Sequence, residues 1–100
     1  SRLAAELFDF DASVFIPPMK LRRMDEVGQL SVAAGRLALD AAGLPRQEAG
    51  YDDVGVVFGT CTCGVHSTGE FLDRLLDLGP TGAPALLFSN TVGNAAASLV

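Results

Sequence analysis

The sequence predicts an α/β protein in which one central buried strand is accompanied by three helices. The strand is predicted for residues 53–59, a continuous apolar run rich in β-branched residues and bounded by polar residues and glycine, as is typical of a strand covered on both faces. Stretches with apolar residues at helical spacing lie on either side of it. Because a buried strand needs neighbouring strands and no other run qualifies, the sequence predicts part of a larger fold.

The first helix is predicted to begin after Asp25, a favourable N-cap residue, and to stop at Gly43. Gly28 and Gly35 lie two turns apart on one face, where each costs about 1 kcal/mol relative to alanine. We therefore expect another backbone to approach that face closely. The apolar residues that recur at helical spacing are Val27, Leu30, Ala34, Leu37, Ala38 and Ala41.

The second helix is predicted from the stretch 67–70, in which Ser67 and Glu70 have the spacing of a capping box. Apolar residues follow at helical spacing until Gly79 and the next proline end the helix. The third helix is predicted to start at Ser89 or Asn90 and to run to the last residue. Residues 1–24 are expected to be an extended segment with at most one short strand.

The amino-acid composition excludes several classes of protein for this chain. The 100 residues are 49% hydrophobic and 19% charged, which indicates a soluble globular chain of one domain at most. The net charge of -5 argues against a nucleic-acid surface. No apolar run is long enough to span a bilayer and residues 1–20 lack the pattern of a signal peptide, so we expect a cytoplasmic protein with reduced cysteines and no membrane contact.

Residues 59–66 contain both cysteines and the sole histidine, at the point where a strand would lead into a helix. A phosphate loop is rejected, because Val65 and His66 occupy the places where lysine and a hydroxyl residue would hold phosphate and magnesium. A zinc site is disfavoured, because two thiols and one imidazole leave the ligand set incomplete.

Two further interpretations of this loop remain. A thiol near a helix N-terminus could act as a nucleophile with His66 as its base, although packing of His66 on Phe71 is the simpler explanation. In an extended loop Cys61 and Cys63 would share one side and Thr62 would face the other. Since free cysteine behaves as a small hydrophobic residue, the wall of an apolar pocket is the interpretation that requires least of the sequence.

A short basic cluster precedes the first helix and consists of Lys20, Arg22 and Arg23. A solvated loop is the favoured interpretation of such a short signal. Contact with an anion or an acidic partner stays open as the alternative.

A series of motifs resembles the N-terminal half of β-ketoacyl-acyl carrier protein synthases, the elongating condensing enzymes of fatty-acid and polyketide synthesis. The order and spacing of the motifs match along almost the whole chain. The motifs are Leu-Arg-Arg-Met-Asp at 21–25, Ala-Ala-Gly-Leu at 41–44, Val-Gly-Val-Val-Phe-Gly-Thr at 54–60, Gly-Pro at 79–80 and Phe-Ser-Asn-Thr-Val-Gly-Asn-Ala-Ala-Ala-Ser at 88–98.

The resemblance implies a partial thiolase-like fold in which residues 1–100 are an internal segment of the N-terminal synthase domain, incomplete at both ends. It implies that the nucleophilic cysteine and the two catalytic histidines follow later in the parent chain. On this basis residues 1–100 contain no catalytic residue and no metal ligand, and Cys61, Cys63 and His66 inherit no catalytic role.

The resemblance also implies substrate-binding residues. Thr62 matches the residue that gates the acyl tunnel, Cys61 and Cys63 stand where glycines are common, and Leu87 and Phe88 match residues that close the tunnel of a dimer partner. The implied reaction is a decarboxylative Claisen condensation on acyl chains carried by the phosphopantetheine of acyl carrier protein, without another cofactor. The basic cluster would contact that carrier protein.

Two alternatives to an active homodimeric synthase stay open. One is a non-catalytic synthase-like subunit that pairs with an active partner and determines chain length. The other is a small thiol- or metal-binding module built on Cys61, Cys63 and His66. We also expect residues 1–100 alone to be poorly stable, because the predicted strand would expose its hydrogen-bonding edges.

Overall fold

The computed structural model describes residues 2–100, and these residues form an all-helical arrangement without a β-strand. A 3₁₀ turn lies near the beginning, and two longer helices are each accompanied by short helical segments. The elements in chain order are the 3₁₀ turn Ala12–Val14, α1 Pro18–Leu21, α2 Glu26–Ala41, α3 Val65–Leu78, α4 Ala85–Phe88 and α5 Ala95–Leu99.

The predicted central strand is absent from the described residues, so the prediction of an α/β class was wrong. Residues 54–60 follow a turn and have no regular secondary structure. Val57 is 98% exposed and Val56 is 48% exposed, whereas a central strand would be covered on both faces. The physical reason is the lack of a neighbouring strand, since β-branched residues favour a sheet only where partners supply hydrogen bonds and packing. The thiolase-like sheet expected from the resemblance is likewise not present in these residues.

Helix α2 confirms the first predicted helix. The Asp25 carboxylate accepts a hydrogen bond from the Gly28 amide at 2.9 Å and so caps the helix. The helix ends at Ala41, and Gly43 follows with a φ of 72° in the left-handed region that glycine adopts without strain.

The glycine face of α2 is closely approached, as the sequence predicted, but by side chains rather than by a backbone. A Cβ atom on Gly28 would lie 2.9 Å from Leu99 Cδ1, and one on Gly35 would lie 2.6 Å from Val100 Cγ1. Both neighbours belong to the end of the chain, where α5 packs against α2. The small glycine surface therefore admits the C-terminal helix.

Helix α3 begins three residues earlier than a capping box on Ser67 would place it, and it does not use that box. Its N-cap is Gly64, so Ser67 lies inside the first turn. The Ser67 hydroxyl donates to Asp25, and Glu70 forms an ion pair with Arg74 at 2.8 Å. The expected end at Gly79 is confirmed, with the Gly79 amide donating to the Leu75 carbonyl.

The predicted third helix is reduced to the short helix α5, because residues 89–94 form turns and α4 ends before the predicted start. Neither predicted N-cap residue serves as one, because the Ser89 hydroxyl donates to the Leu86 carbonyl and the Asn90 side-chain amide donates to the Arg23 carbonyl. Local and long-range hydrogen bonds thus compete with the cap and break the helix.

The first 24 residues contain more helix than expected. Asp11 caps the 3₁₀ turn through hydrogen bonds from the Ser13 hydroxyl and amide, and these bonds lower the pKa of the exposed Asp11 carboxyl, the hydroxyl contributing most. Pro17 and Pro18 then start α1, where a proline in the first turn loses no intrahelical hydrogen bond.

The apolar core of the described residues is small. The buried hydrophobic residues are Ala12, Ile16, Ala33 and Ala96, of which Ile16 alone has a large side chain. Many large hydrophobic side chains, including Leu76 at 81% and Phe8 at 89%, are exposed. None of the helices in residues 2–100 combines the length and the apolar character that crossing a membrane requires.

We expect residues 1–100 alone to unfold over a broad temperature range, because a core of this size cannot offset a backbone ordering cost of about 1–2 kcal/mol per residue. Circular dichroism of Ile16→Asp and Val57→Asp checks the location of the core. The first substitution should reduce helicity, since Ile16 is 3% exposed, and the second should leave it unchanged. A sharp two-state transition, or equal effects of both substitutions, would contradict this expectation.

Candidate functional site

Three segments that are distant in sequence meet through polar contacts at the N-termini of α2 and α3. The Ser67 hydroxyl donates to Asp25 Oδ2 at 3.1 Å, and Asn90 Nδ2 donates to the Arg23 carbonyl at 3.2 Å. We call Arg23, Asp25, Ser67 and Asn90 the polar clasp. It connects the residues before α2, the first turn of α3 and the turn after α4.

Asp25 uses both carboxylate oxygens in the polar clasp. Oδ1 accepts a hydrogen bond from the Gly28 amide, and Oδ2 accepts one from the Ser67 hydroxyl. Ser67 is only 4% exposed. A buried hydroxyl without a partner would cost about 1–3 kcal/mol. The bond to Asp25 therefore satisfies Ser67 and ties α3 to the capped end of α2.

Gly64 is fitted to this junction by its backbone. Its φ of 65° is left-handed, and a Cβ atom added there would lie 2.6 Å from the Asn90 carbonyl oxygen. Distances below 3.0 Å of this kind require one of the two chain segments to move. Glycine is thus needed at position 64 both for its conformation and for the approach of the Asn90 turn.

A shallow cavity of about 270 Å³ lies beside the polar clasp. Its walls come from all three segments and carry side chains of both charge signs. The lining residues are Arg22, Arg23, Met24, Asp25, Glu26, His66, Ser67, Glu70, Leu86, Leu87 and Asn90. His66 belongs to this lining, whereas neither cysteine does.

The predicted wall residues of the cysteine loop lie just before α3. Cys61 and Thr62 are exposed, whereas Cys63 is half-buried and its thiol donates to the Gly93 carbonyl at 3.6 Å. The Thr62 carbonyl accepts from the Val65 amide at 2.9 Å, which turns the chain into α3. Thr62 therefore holds the turn through its backbone and leaves its side chain on the surface.

The other two predicted wall residues lie at the end of α4. Leu87 is half-buried in the cavity wall, and Phe88 is 57% exposed with its ring centroid 5.7 Å from that of Phe71. The contacts of Cys63 with Gly93 and of Gly64 with Asn90 place the loop beside the segment that follows α4. The fold thus brings both predicted groups into neighbouring segments, and their role as a tunnel wall stays a prediction.

The side chains that could bind a metal are not gathered at the cysteine loop in the part of the chain that the structure describes. No group of three or more histidine, cysteine, aspartate or glutamate side chains in residues 2–100 is arranged to hold a metal ion. The Cys63 thiol contacts the Gly93 carbonyl, and His66, in the first turn of α3, lines the cavity.

The polar clasp was missed by the sequence analysis apart from the cap at Asp25. The bond from Ser67 to Asp25 spans 42 residues and that from Asn90 to Arg23 spans 67. Side-chain hydrogen bonds at such separations leave no periodic signal in the sequence. Gly64, next to a predicted helix, was the one available sign of a close approach.

Comparison with known proteins decides the family. The family model described as Beta-ketoacyl synthase, N-terminal domain, matches residues 2–99. The chain belongs to the β-ketoacyl synthase family. The resemblance carried by the motif series is thereby confirmed, over nearly the whole chain.

One curated relative of this β-ketoacyl synthase segment is 3-oxoacyl-[acyl-carrier-protein] synthase 2 of Synechocystis sp., with 31% identity over 98 residues. The match covers 98% of this chain and 24% of the relative, so the chain spans about a quarter of the relative's length. No solved structure matches the chain.

We expect Gly64→Ala to destabilise the first turn of α3 by more than the cost of placing alanine in a left-handed conformation. Alanine in that conformation costs about 1–2 kcal/mol, and at position 64 the contact with Asn90 adds to this cost. Hydrogen exchange of the Thr68 amide, which donates to the Gly64 carbonyl at 2.8 Å, reports the effect. Gly43→Ala is the matched control, with a φ of 72° and open space around the new Cβ, and it should leave Thr68 exchange unchanged.

Proposed function

We propose that this chain is part of a β-ketoacyl-acyl carrier protein synthase that condenses an acyl thioester with malonyl-acyl carrier protein. The match of residues 2–99 to the N-terminal domain of the family carries the proposal. The relative named 3-oxoacyl-[acyl-carrier-protein] synthase 2, aligned over 98% of the chain, supports it.

In the proposed reaction a cysteine thiolate elsewhere in the parent protein attacks the acyl thioester, releases the carrier thiol and becomes acylated. Malonyl carrier protein then loses CO2, and the resulting carbanion attacks the acyl-enzyme carbonyl, forming the new carbon-carbon bond and freeing the cysteine. Backbone amide donors stabilise the oxyanion. Residues 1–100 supply scaffold and substrate wall in this scheme, and no reacting group.

The wall is assigned to Cys61, Thr62 and Cys63 on one segment and to Leu87 and Phe88 on the neighbouring one. Thr62 and Phe88 present exposed side chains, and the cysteines add small apolar surface. A wall with threonine at its centre leaves more room than one with a large apolar residue. We therefore infer that the volume at position 62 contributes to the choice of acyl-chain length.

Acyl carrier protein is the proposed macromolecular partner. Lys20 lies in the last turn of α1, and Arg22 and Arg23 follow it. All three residues are exposed, and the two arginines line the cavity. A local positive cluster on a chain of net charge -5 would steer an acidic partner to this surface.

The complete protein that contains this segment should elongate acyl chains carried by acyl carrier protein. The substitution Thr62→Phe should reduce kcat/KM for the longest accepted acyl chain about tenfold relative to the shortest. The reason is that added side-chain volume in the wall excludes long chains first. Product analysis over a series of acyl chain lengths measures this ratio. Thr81→Phe, at an exposed turn outside the assigned wall, is the control.

An unchanged chain-length profile in Thr62→Phe would refute the assignment of the wall. Failure of the unaltered protein to acylate itself or to consume malonyl carrier protein would refute the synthase function. Activity that appears only after addition of a second synthase subunit would instead identify a non-catalytic, chain-length-determining subunit.

The double substitution Arg22→Glu and Arg23→Glu should weaken binding of acyl carrier protein about tenfold, because two attractive charges become repulsive. Fluorescence anisotropy of a labelled carrier protein gives the Kd. The difference from the unaltered protein should shrink as salt rises, since exposed charges are screened. Arg46→Glu, beyond the other end of α2, is the control, and an equal loss there would argue against a local docking surface.

A further inference from the structure

We propose that Asp25, Ser67 and Asn90 are positioning residues that hold the loop 61–64 in a fixed place against the basic segment 20–24. The consequence for acyl-chain selection rests on the proposed function, because Thr62 lies in that loop. The positioning itself does not depend on the reaction and can be measured without it.

The first contact acts through α3. Loop 61–64 leads directly into this helix, since the Val65 amide donates to Thr62 and the Thr68 amide donates to Gly64. Ser67 lies in the same turn and its hydroxyl is bonded to Asp25, which also caps α2. Because these bonds form one continuous chain, a shift of the loop would pull Ser67 away from Asp25.

The second contact acts on the loop itself. The Asn90 carbonyl oxygen lies so close to Gly64 that a Cβ atom would be 2.6 Å away, while its side-chain amide holds the Arg23 carbonyl at 3.2 Å. Asn90 therefore contacts the basic segment through its side chain and the loop through its backbone carbonyl. Three residues further on, the Gly93 carbonyl accepts a hydrogen bond from the Cys63 thiol, which is a second contact between this segment and the loop.

Both contacts end in the segment that precedes α2, one at Asp25 and one at Arg23. The loop is thus attached to this segment from two directions, through a buried hydroxyl and through a half-buried amide. Loss of either bond would free the loop to move relative to the cavity wall, and Cys63 would leave its carbonyl partner. Cys63 consequently reports the position of the loop.

The test uses the complete protein in a Cys61→Ser background and measures how fast an aromatic disulfide reagent modifies Cys63. Trypsin cleaves after Arg46 and Arg74, so one peptide, 47–74, contains the reporter thiol and mass spectrometry quantifies its modification. Other cysteines of the parent protein fall in other peptides and do not disturb the measurement.

Ser67→Ala and Asn90→Asp should each raise the rate of Cys63 modification about fivefold. Each substitution removes one hydrogen bond, and one intramolecular hydrogen bond typically changes the equilibrium between the fixed and the displaced loop by about this factor. Ser67→Thr keeps the hydroxyl and should restore the slow rate. Matched controls are Ser98→Ala, whose hydroxyl bonds only within α5 to Ala95, and Asn94→Asp, whose side chain caps nothing. Neither control should change the rate.

Unchanged Cys63 rates in both Ser67→Ala and Asn90→Asp would overturn the positioning inference, and so would equal increases in the two controls. A second measurement separates this outcome from the proposed function. If the unaltered protein condenses acyl chains, Ser67→Ala should also alter the ratio of kcat/KM between long and short chains, and Ser67→Thr should reverse the change. An unaltered protein without condensing activity would refute the synthase function alone, since Cys63 labelling still decides the positioning.

Discussion

The arrangement of α2 and α3 depends on the two hydrogen bonds that the Asp25 carboxylate accepts, one from each helix. One oxygen caps α2 at the Gly28 amide and the other accepts the buried Ser67 hydroxyl of α3. A single short side chain can do both because the N-cap position is extended and places the carboxylate outside the helix. The start of α3, the cysteine loop and the cavity beside them are all placed relative to this carboxylate.

The polar contacts stand out because the apolar ones are so few. Ile16 is the one large hydrophobic residue buried in residues 2–100, whereas the apolar run around Val57 is left in solvent. Hydrophobic burial normally dominates folding, so a domain that leaves this much apolar surface uncovered lacks its main stabilising term.

The predictions that succeeded rest on local chemistry. Asp25 caps α2 and Gly79 ends α3, each because the required residue type acts within a few positions of itself. The predictions that failed required competition between partners. Ser67 had the spacing of a capping residue, yet its hydroxyl was taken by a carboxylate 42 residues away.

The sequence by itself determined the β-ketoacyl synthase family, through the order and spacing of its motifs, and the course of α2, through caps and periodicity. Only the tertiary structure decided that residues 53–59 form no strand and that Gly64, Ser67 and Asn90 meet at one junction. The physical reason is the same for both. A strand and a long-range side-chain bond each exist only when a distant segment supplies the partner atoms, and residue type alone does not specify which segment that is.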